Sequence, residues 1–587
     1  MRRFSQVFAL LILIALLTPA MPDMTLGAAE ADCPNVILIM TDDQGSGDLG
    51  VTDNPFVKTP NIDALAEAGV EVETFYVSPV CAPTRAALMT GRYTYRTGVT
   101  DTWLGRAMMY TDETTVAEAL GEAGYATGIF GKWHLGDAYP MRPQDQGFDE
   151  VLVHTGGGLC QPAGPPDNTY FDPSLMHNGE RIQTEGYCSD VYVDYLIDFV
   201  EENQDGPFFA YLPFNCPHAP YQISDKYKTP YDEMDMEPGD FPQIGQVRKT
   251  VPGNTSAVYG MVENIDDNVG RLLETLDRLG LTENTIVVFL TDNGPNGDRY
   301  NCGLRQFKGS VYEGGIRTVF YVRWPERLEA GLKVQEFGAH IDVFPTLLEA
   351  CGVDSPENVA IDGRSLLPLL EGRDVDWTER MYFAQWHRGD YPVPFRKFAA
   401  RDNRYKLVYA VETPENADWA SLPLELYDLQ NDPYEMQNIA EENPEVVRRL
   451  AESYAAWLED VGQDHGYAGP RIEIGTPHEE ETILTRQDWR GTNASWSPQG
   501  VGHWDLSLAE SGRFSIRVEA AAPGQAATAK LRIQGETLEL RLEEDGREYL
   551  FPNVALDAEA DLRLETWIER ADGTAYGVNF VYVERIE

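Results

Sequence analysis

Asn35-Val-Ile-Leu-Ile-Met-Thr-Asp-Asp43 is the stretch that decides the fold. Residues 36–41 form a short apolar run with a strong preference for extended backbone, and two carboxylates follow at once. A strand that is apolar at consecutive positions is buried on both faces, as strands of a parallel sheet under helices are. Ile286-Val-Val-Phe-Leu-Thr291 repeats the pattern and ends in Asp292-Asn293. Residues 125–130 and 207–214 read as further strands. Between them lie helical segments at 61–69, at 114–124 with threonine caps, and at 259–279. The last is apolar at Met261, Ile265, Val269, Leu272, Leu276 and Leu279, which makes one helix face. This alternation predicts an α/β unit over residues 33–370, with a large, mainly parallel sheet sandwiched by helices.

Two further pieces complete the chain. Residues 371–470 read as a small α+β subdomain, with strands near 381–385 and 406–410 and a helix over 444–458. From 475 to 587 the pattern changes to period two, in Phe514-Ser-Ile-Arg-Val518, Ala529-Lys-Leu-Arg-Ile533, Leu538-Glu-Leu-Arg-Leu542 and Leu562-Arg-Leu-Glu-Thr566. Alternation broken by Gly and Pro predicts an appended antiparallel β-sandwich.

The 587-residue chain carries 46 Lys and Arg against 95 Asp and Glu, a net charge of -49. That argues against nucleic-acid binding, which needs a basic footprint, and against stable docking on anionic membranes. At the N-terminus, Arg2 and Arg3 precede an apolar run over Phe8–Leu17 and small residues at Gly27, Ala28 and Ala29. Residues 1–29 therefore read as a signal peptide, and the protein as exported, to a periplasm or the extracellular space. Seven cysteines, at 33, 81, 160, 188, 216, 302 and 351, include no CxxC pair. In an oxidising compartment most are able to pair, and the odd count leaves one over.

The chemistry gathers at strand ends. The first strand delivers Asp42 and Asp43, the strand ending at Phe130 leads to Lys132 and His134, that ending at Phe214 to His218, and that ending at Thr291 to Asp292 and Asn293. Ligands of open α/β sheets bind beyond such ends, so these residues converge on one expected site. Three carboxylates and an amide oxygen form a hard-oxygen cation site, suited to calcium or magnesium better than to zinc.

Cys81-Ala-Pro-Thr-Arg-Ala-Ala-Leu-Met-Thr-Gly-Arg92 is the most specific segment. Pro83 suits a first helical turn and the alanines extend it, so Cys81 stands at a helix N-terminus that favours negative charge, with Arg85 one turn on. Taken alone, the stretch also allows Cys81 as a plain disulfide partner.

Cys-x-Pro-Ser/Thr-Arg followed by Leu-x-Thr-Gly-Arg resembles the signature of the formylglycine-dependent sulfatases, in the alkaline phosphatase superfamily. The resemblance runs from Asn35 to about Leu458. It includes Gly131-Lys-Trp-His-Leu-Gly136, Pro217-His-Ala-Pro220, Thr291-Asp-Asn-Gly294, Lys308-Gly-Ser-Val-Tyr-Glu-Gly-Gly-Ile-Arg317, Ile361-Asp-Gly-Arg-Ser-Leu366 and Leu426-Tyr-Asp-Leu-Gln-Asn-Asp-Pro433. It implies an alkaline-phosphatase-like fold and hydrolysis of sulfate monoesters. It implies oxidation of Cys81 to formylglycine by a formylglycine-generating enzyme, and one calcium ion held by Asp42, Asp43, Asp292, Asn293 and residue 81. Arg85 would hold the formylglycine hydrate, and Lys132 and Lys308 would neutralise sulfate oxygens. His134 would assist breakdown of the covalent sulfate, and His218 would protonate the leaving oxygen.

The residue types suit that chemistry. Cations offset the charge of an anionic ester, and a general acid meets the charge that builds on its leaving oxygen. Two departures stand out: Gln306 where the family often has glycine, and Thr84 for serine.

The expected substrate is a sulfated sugar or oligosaccharide. The glycine-rich loop from His154 to Asp172 is placed at the pocket mouth. His154, His177, His387 and Trp386 are candidate sugar contacts, while Trp489, Trp496, Trp504 and Trp567 either pack the sandwich or wall the cleft. The alternatives are a phosphonate monoester or phosphodiester hydrolase of the same superfamily, and a non-catalytic sulfoglycan-binding protein.

Overall fold

The computed structural model describes residues 33–587 apart from 357, 358 and 379; the expected signal peptide lies outside them. At its centre is a ten-stranded sheet. Four strands form the middle of this sheet: β1 (Asn35–Thr41), β2 (Ala126–Lys132), β3 (Phe208–Pro213) and β4 (Thr285–Thr291). They lie in the order β4-β1-β3-β2, all parallel, and Glu150–His154 extends the parallel run beyond β2. Antiparallel strands make up much of both margins: Phe320–Arg323 beside β4, and Ser174–His177 and Glu180–Gln183 on the far side.

The apolar run in β1 is explained by what covers it. Val36, Leu38 and Met40 face one core with the helices Cys81–Thr90 and Val116–Glu122, while Ile37 and Ile39 face the other with Cys188–Glu202 and Thr255–Leu279. Strand alternation therefore feeds two helical layers with apolar side chains. Thr115 caps Val116–Glu122 in a capping box with Glu118, matching the expected threonine cap. In Thr255–Leu279 the apolar face is buried, save for Leu279, which is partly covered.

Next in the chain comes a four-stranded antiparallel sheet (Tyr382–Gln385, Phe398–Arg401, Tyr405–Tyr409, Glu425–Asp428), with the helix Pro444–Val461 packed on it. It is tied to the central unit by a buried ion cluster. Lys406 Nζ lies 2.8 Å from Glu313 Oε1 and 2.9 Å from Glu435 Oε1, and all three side chains are about 1% exposed or less.

The last part is two sheets, of six and four strands, face to face; they are antiparallel as expected, except that Ile472–Glu473 joins the larger one parallel to His503–Leu508. Trp489 and Trp504 fill the interior, whereas Trp567 is half-buried beside Arg532. This core does not stop at the sandwich. Leu104, Met108, Ala138 and Met141 of the central unit belong to the same apolar cluster.

Among the described residues no two cysteines are joined. Cys188 and Cys216 hold their sulfurs 3.8 Å apart, well beyond a bond of about 2.05 Å. Among the described residues no helix is long and apolar enough to cross a membrane.

Candidate active site

Cys81 is the first residue of a fully buried helix, α1 (Cys81–Thr90), whose entry at Val80 is extended and whose exit is Gly91 in the left-handed region. Thr84 fixes this helix against β4: its hydroxyl donates to Asp292 O at 2.7 Å and accepts from Ser78 N at 3.0 Å. One turn on from Cys81, Arg85 has no exposure, donating to Lys132 O and to Asp292 Oδ2, each at 2.9 Å.

The ends of β1 and β4 interlock. Asp43 N donates to Asp292 Oδ1 at 3.1 Å, and Asn293 Nδ2 donates to Asp43 Oδ1 at 2.9 Å. Lys132 Nζ reaches Asp42 Oδ2 at 2.6 Å, and Lys308 Nζ is paired with Asp43 Oδ1. Three carboxylates are thus matched by Arg85, Lys132 and Lys308. Asp43 and His134 both hold φ of 64°, a region that branched-at-Cβ chains avoid and that recurs where structure is fixed for function. At Gly131, between β2 and β3, a Cβ would stand 2.1 Å from Pro213 O. Only glycine lets the two strand ends close together just ahead of Lys132.

Three oxygens of this cluster are buried without a partner: Asp42 Oδ1, Asp43 Oδ2 and Asn293 Oδ1. What sets these three apart is that they converge at the ends of adjacent strands, beside Cys81, as oxygen ligands for a cation do. Asp42, Asp43 and His218 bring donor atoms within 4.8 Å of one another, and so do Asp42, Cys81 and Asp292. Burial, reinforced by the neighbouring Asp42, pushes Asp292 up to about 7. Burial raises Asp43 as well, but Lys308, His218 and Asn293 together hold it below the ordinary carboxylate range.

The two histidines differ in which nitrogen is free. His134 Nε2 donates to Thr102 O at 2.8 Å, leaving Nδ1 buried and unpartnered. Burial, then Lys132, keeps it far below the usual histidine value, so it is a neutral base. His218 Nδ1 donates to Ala219 O at 2.6 Å, and Nε2 points toward Asp43 Oδ2 at 3.8 Å. Burial lowers His218 to about 4 against the pull of Asp43. The Cys81 thiol is also pushed up by burial, despite Lys132 and Lys308. An unmodified cysteine here is a neutral thiol and a poor nucleophile.

All of the residues expected from the strand ends and from the Cys81 helix therefore meet in one place. Cys81, His134, His218 and Lys308 open onto a cleft of about 450 Å³. Of the candidate sugar contacts, Trp386 lines this cleft. His387 is enclosed in its own loop, accepting from Val393 N at 2.8 Å, and His177 is bound to Glu150. His154 is buried on the strand next to Lys132. The glycine-rich loop supplies Gly157 and Gln161. Sequence reasoning missed Trp103, Arg388 and Gln487, which reach the site from loops without a motif. Gln306 sits at φ 66°, so the family's glycine suits this backbone. Gln306→Gly is expected to leave thermal stability within about 1 kcal/mol of the parent, read by calorimetry; a loss of several kcal/mol would show that the glutamine side chain carries contacts worth more than the strain.

The model of the family named Sulfatase matches residues 34–353, more than half the chain. The chain belongs to the sulfatase family. A second model, N-sulphoglucosamine sulphohydrolase, C-terminal, matches residues 306–459. The chain is 33% identical to N-acetylgalactosamine-6-sulfatase of Canis lupus familiaris over 403 residues, 62% of this chain and 70% of that protein. It is 32% identical to arylsulfatase A of Homo sapiens over 479 residues, 72% of this chain and 87% of that protein. Among solved structures, Ps i-CgsB in complex with k-i-k-neocarrahexaose superposes with a TM-score of 0.63 at 29% identity, covering 74% of this chain and 94% of that one. The fold is that of sulfatases, and the chain is a sulfatase enzyme; its relatives include carbohydrate sulfatases.

Proposed function

We propose that this sulfatase cleaves sulfate monoesters on a sulfated carbohydrate, using a formylglycine formed from Cys81 and a calcium ion held by Asp42, Asp43, Asp292, Asn293 and residue 81. The observation that carries it is the meeting of Cys81, at the head of α1, with three orphaned oxygens and two lysines at the ends of adjacent strands. The donor set is all hard oxygen apart from residue 81, as calcium prefers. Bound there, calcium would offset the carboxylates and polarise an ester oxygen. The hydrate at position 81 would supply one hydroxyl that attacks sulfur and a second through which the aldehyde re-forms and sulfate leaves.

The chain's own residues do the rest. Lys132 and Lys308, relieved of balancing Asp42 and Asp43, turn their charge to the sulfate oxygens. Arg85 holds residue 81 in place through its fixed links to Lys132 O and Asp292. His134 takes a proton at Nδ1, its free nitrogen, in the breakdown step. His218 gives one from Nε2 to the departing oxygen, because Nδ1 is already committed to Ala219; an anionic ester beside it favours the protonated ring. We read residues 33–370 as the catalytic unit, 371–470 as its α+β subdomain and 475–587 as the sandwich, in an exported protein matured by a formylglycine-generating enzyme.

The test is a panel of matched esters with protein produced alongside that enzyme: 4-nitrophenyl sulfate, N-acetylgalactosamine 6-sulfate, k-i-k-neocarrahexaose, and a phenylphosphonate monoester. Sulfate esters of sugars should be the better substrates. Faster phosphonate cleavage would transfer the chain to the phosphonate hydrolases, and ligand binding without turnover would make it a sulfoglycan-binding protein. Stripping with a calcium chelator is expected to remove at least about 99% of turnover, the scale of losing a transition-state charge stabiliser, and calcium should restore it. Unchanged turnover after metal analysis shows an empty site would refute the ion's role.

A further inference from the structure

Residues 486–502 of the sandwich reach back to the active-site cleft. Gln487 O accepts from Gly105 N at 2.8 Å, and Gln487 Nε2 donates to Thr102 O at 3.0 Å, the same carbonyl that holds His134. Arg486 braces the far side of the loop, donating to Ser497 O at 2.6 Å and to Gly577 O at 3.0 Å. This bracing presents Trp496 to the cleft, edge-on to Trp103, with ring centroids 5.1 Å apart and planes at 84°. Arg388 lies over Trp103 at 5.0 Å and over Trp386 at 5.1 Å, and its Nη1 is fixed to Asp101 Oδ1 at 2.6 Å.

This wall is not purely aromatic: Gln161 and Arg388 line the cleft together with Trp103, Trp386 and Trp496. Aromatic rings beside hydrogen-bonding side chains fit a sugar ring, whose C–H face stacks and whose hydroxyls both give and accept hydrogen bonds. A simple aryl group offers the face without the hydroxyls.

We propose that the sandwich is part of the substrate site, and that Trp496 with Trp103 forms the subsite for the sugar ring of a sulfated carbohydrate. Trp496 is then a specificity-determining residue that lies beyond residue 459, where the family match ends. The inference rests on the sulfatase reading of the same site, so its test separates the two.

Matured wild-type protein and Trp496→Ala are compared by kcat/KM on the best sugar sulfate of the panel and on 4-nitrophenyl sulfate. The wild type should favour the sugar ester, and the ratio of the two should fall about tenfold or more in Trp496→Ala, equivalent to about 1.4 kcal/mol. Trp496→Phe keeps a ring against Trp103 without the N–H, and should fall in between. Trp567→Ala, on the outer face of the sandwich, should keep the wild-type ratio. An unchanged ratio in Trp496→Ala, an equal loss on both esters in Trp496→Ala and Trp496→Phe, or a wild type that cleaves only the aryl ester would each overturn the subsite. A matured wild type that cleaves no ester at all would instead overturn the sulfatase reading.

Discussion

Cys81→Ala is expected to lower turnover of every sulfate ester by at least about 10⁴-fold, since deleting a covalent nucleophile leaves only binding and electrostatic assistance. The loss should be chemical and not structural. Cys81 heads a helix whose backbone and neighbours are fixed by Thr84, Arg85 and Gly91, and alanine removes only one sulfur from a buried position. The melting temperature should therefore change little. Mass measurement of the tryptic peptide Thr59–Arg85 checks the premise directly: the wild type should carry the aldehyde or its hydrate at position 81. Cys81→Ser sharpens the result. A serine hydroxyl can attack sulfur but has no second hydroxyl with which to expel sulfate, so it should release at most one leaving group per chain and stop. Turnover of Cys81→Ala within tenfold of the wild type would end the case for this nucleophile.

Lys406→Met carries the largest expected effect on stability, a loss of about 3–5 kcal/mol, as when one member of a buried ion cluster is removed. That is a large share of the roughly 5–15 kcal/mol that holds a folded protein together. Glu313 and Glu435 both face Lys406 from buried positions, and Glu435 Oε2 also accepts from Glu313 N at 2.7 Å. Burial already pushes Glu435 up to about 7 with the lysine present. Without it, one carboxyl must take up a proton or stand unpaired. Denaturant titration measures the loss, and Glu435→Gln in the same chain should recover part of it. A change below about 1 kcal/mol, the scale of an exposed pair, would mean that Tyr76, which donates to Glu313 at 2.9 Å, and the nearby arginines suffice. The cluster anchors the segment that carries Lys308, so the variant should also lower turnover.

The sequence made the scaffold readable where one physical cause dominated. β1 and β4 are apolar at every turn because two helical layers cover them, and no solvent face interrupts the run. The site was readable for the same reason: residues just past parallel strands share one edge of the sheet, so Asp42, Asp43, Lys132, His218 and Asp292 are neighbours by topology. Histidines alone carried no such information. His177 is paired with Glu150 through Nε2, and His387 satisfies both nitrogens within its own loop. Trp103, Arg388 and Gln487 were invisible because nothing in a loop's local pattern records which distant loop it touches. Trp496 stood among four tryptophans of the sandwich, and only the fold distinguishes the one at the cleft from the two in the core.

The apolar cluster that runs from the sandwich into Leu104, Met108, Ala138 and Met141 bears on whether the chain can be shortened. A module joined by a tether is gained, lost or exchanged without harm to its host. Here the junction is interior, and the sandwich is the cover over those four positions. A chain cut short before residue 475 would leave Leu104, Met108, Ala138 and Met141 facing water, so it should lose solubility as well as the sandwich.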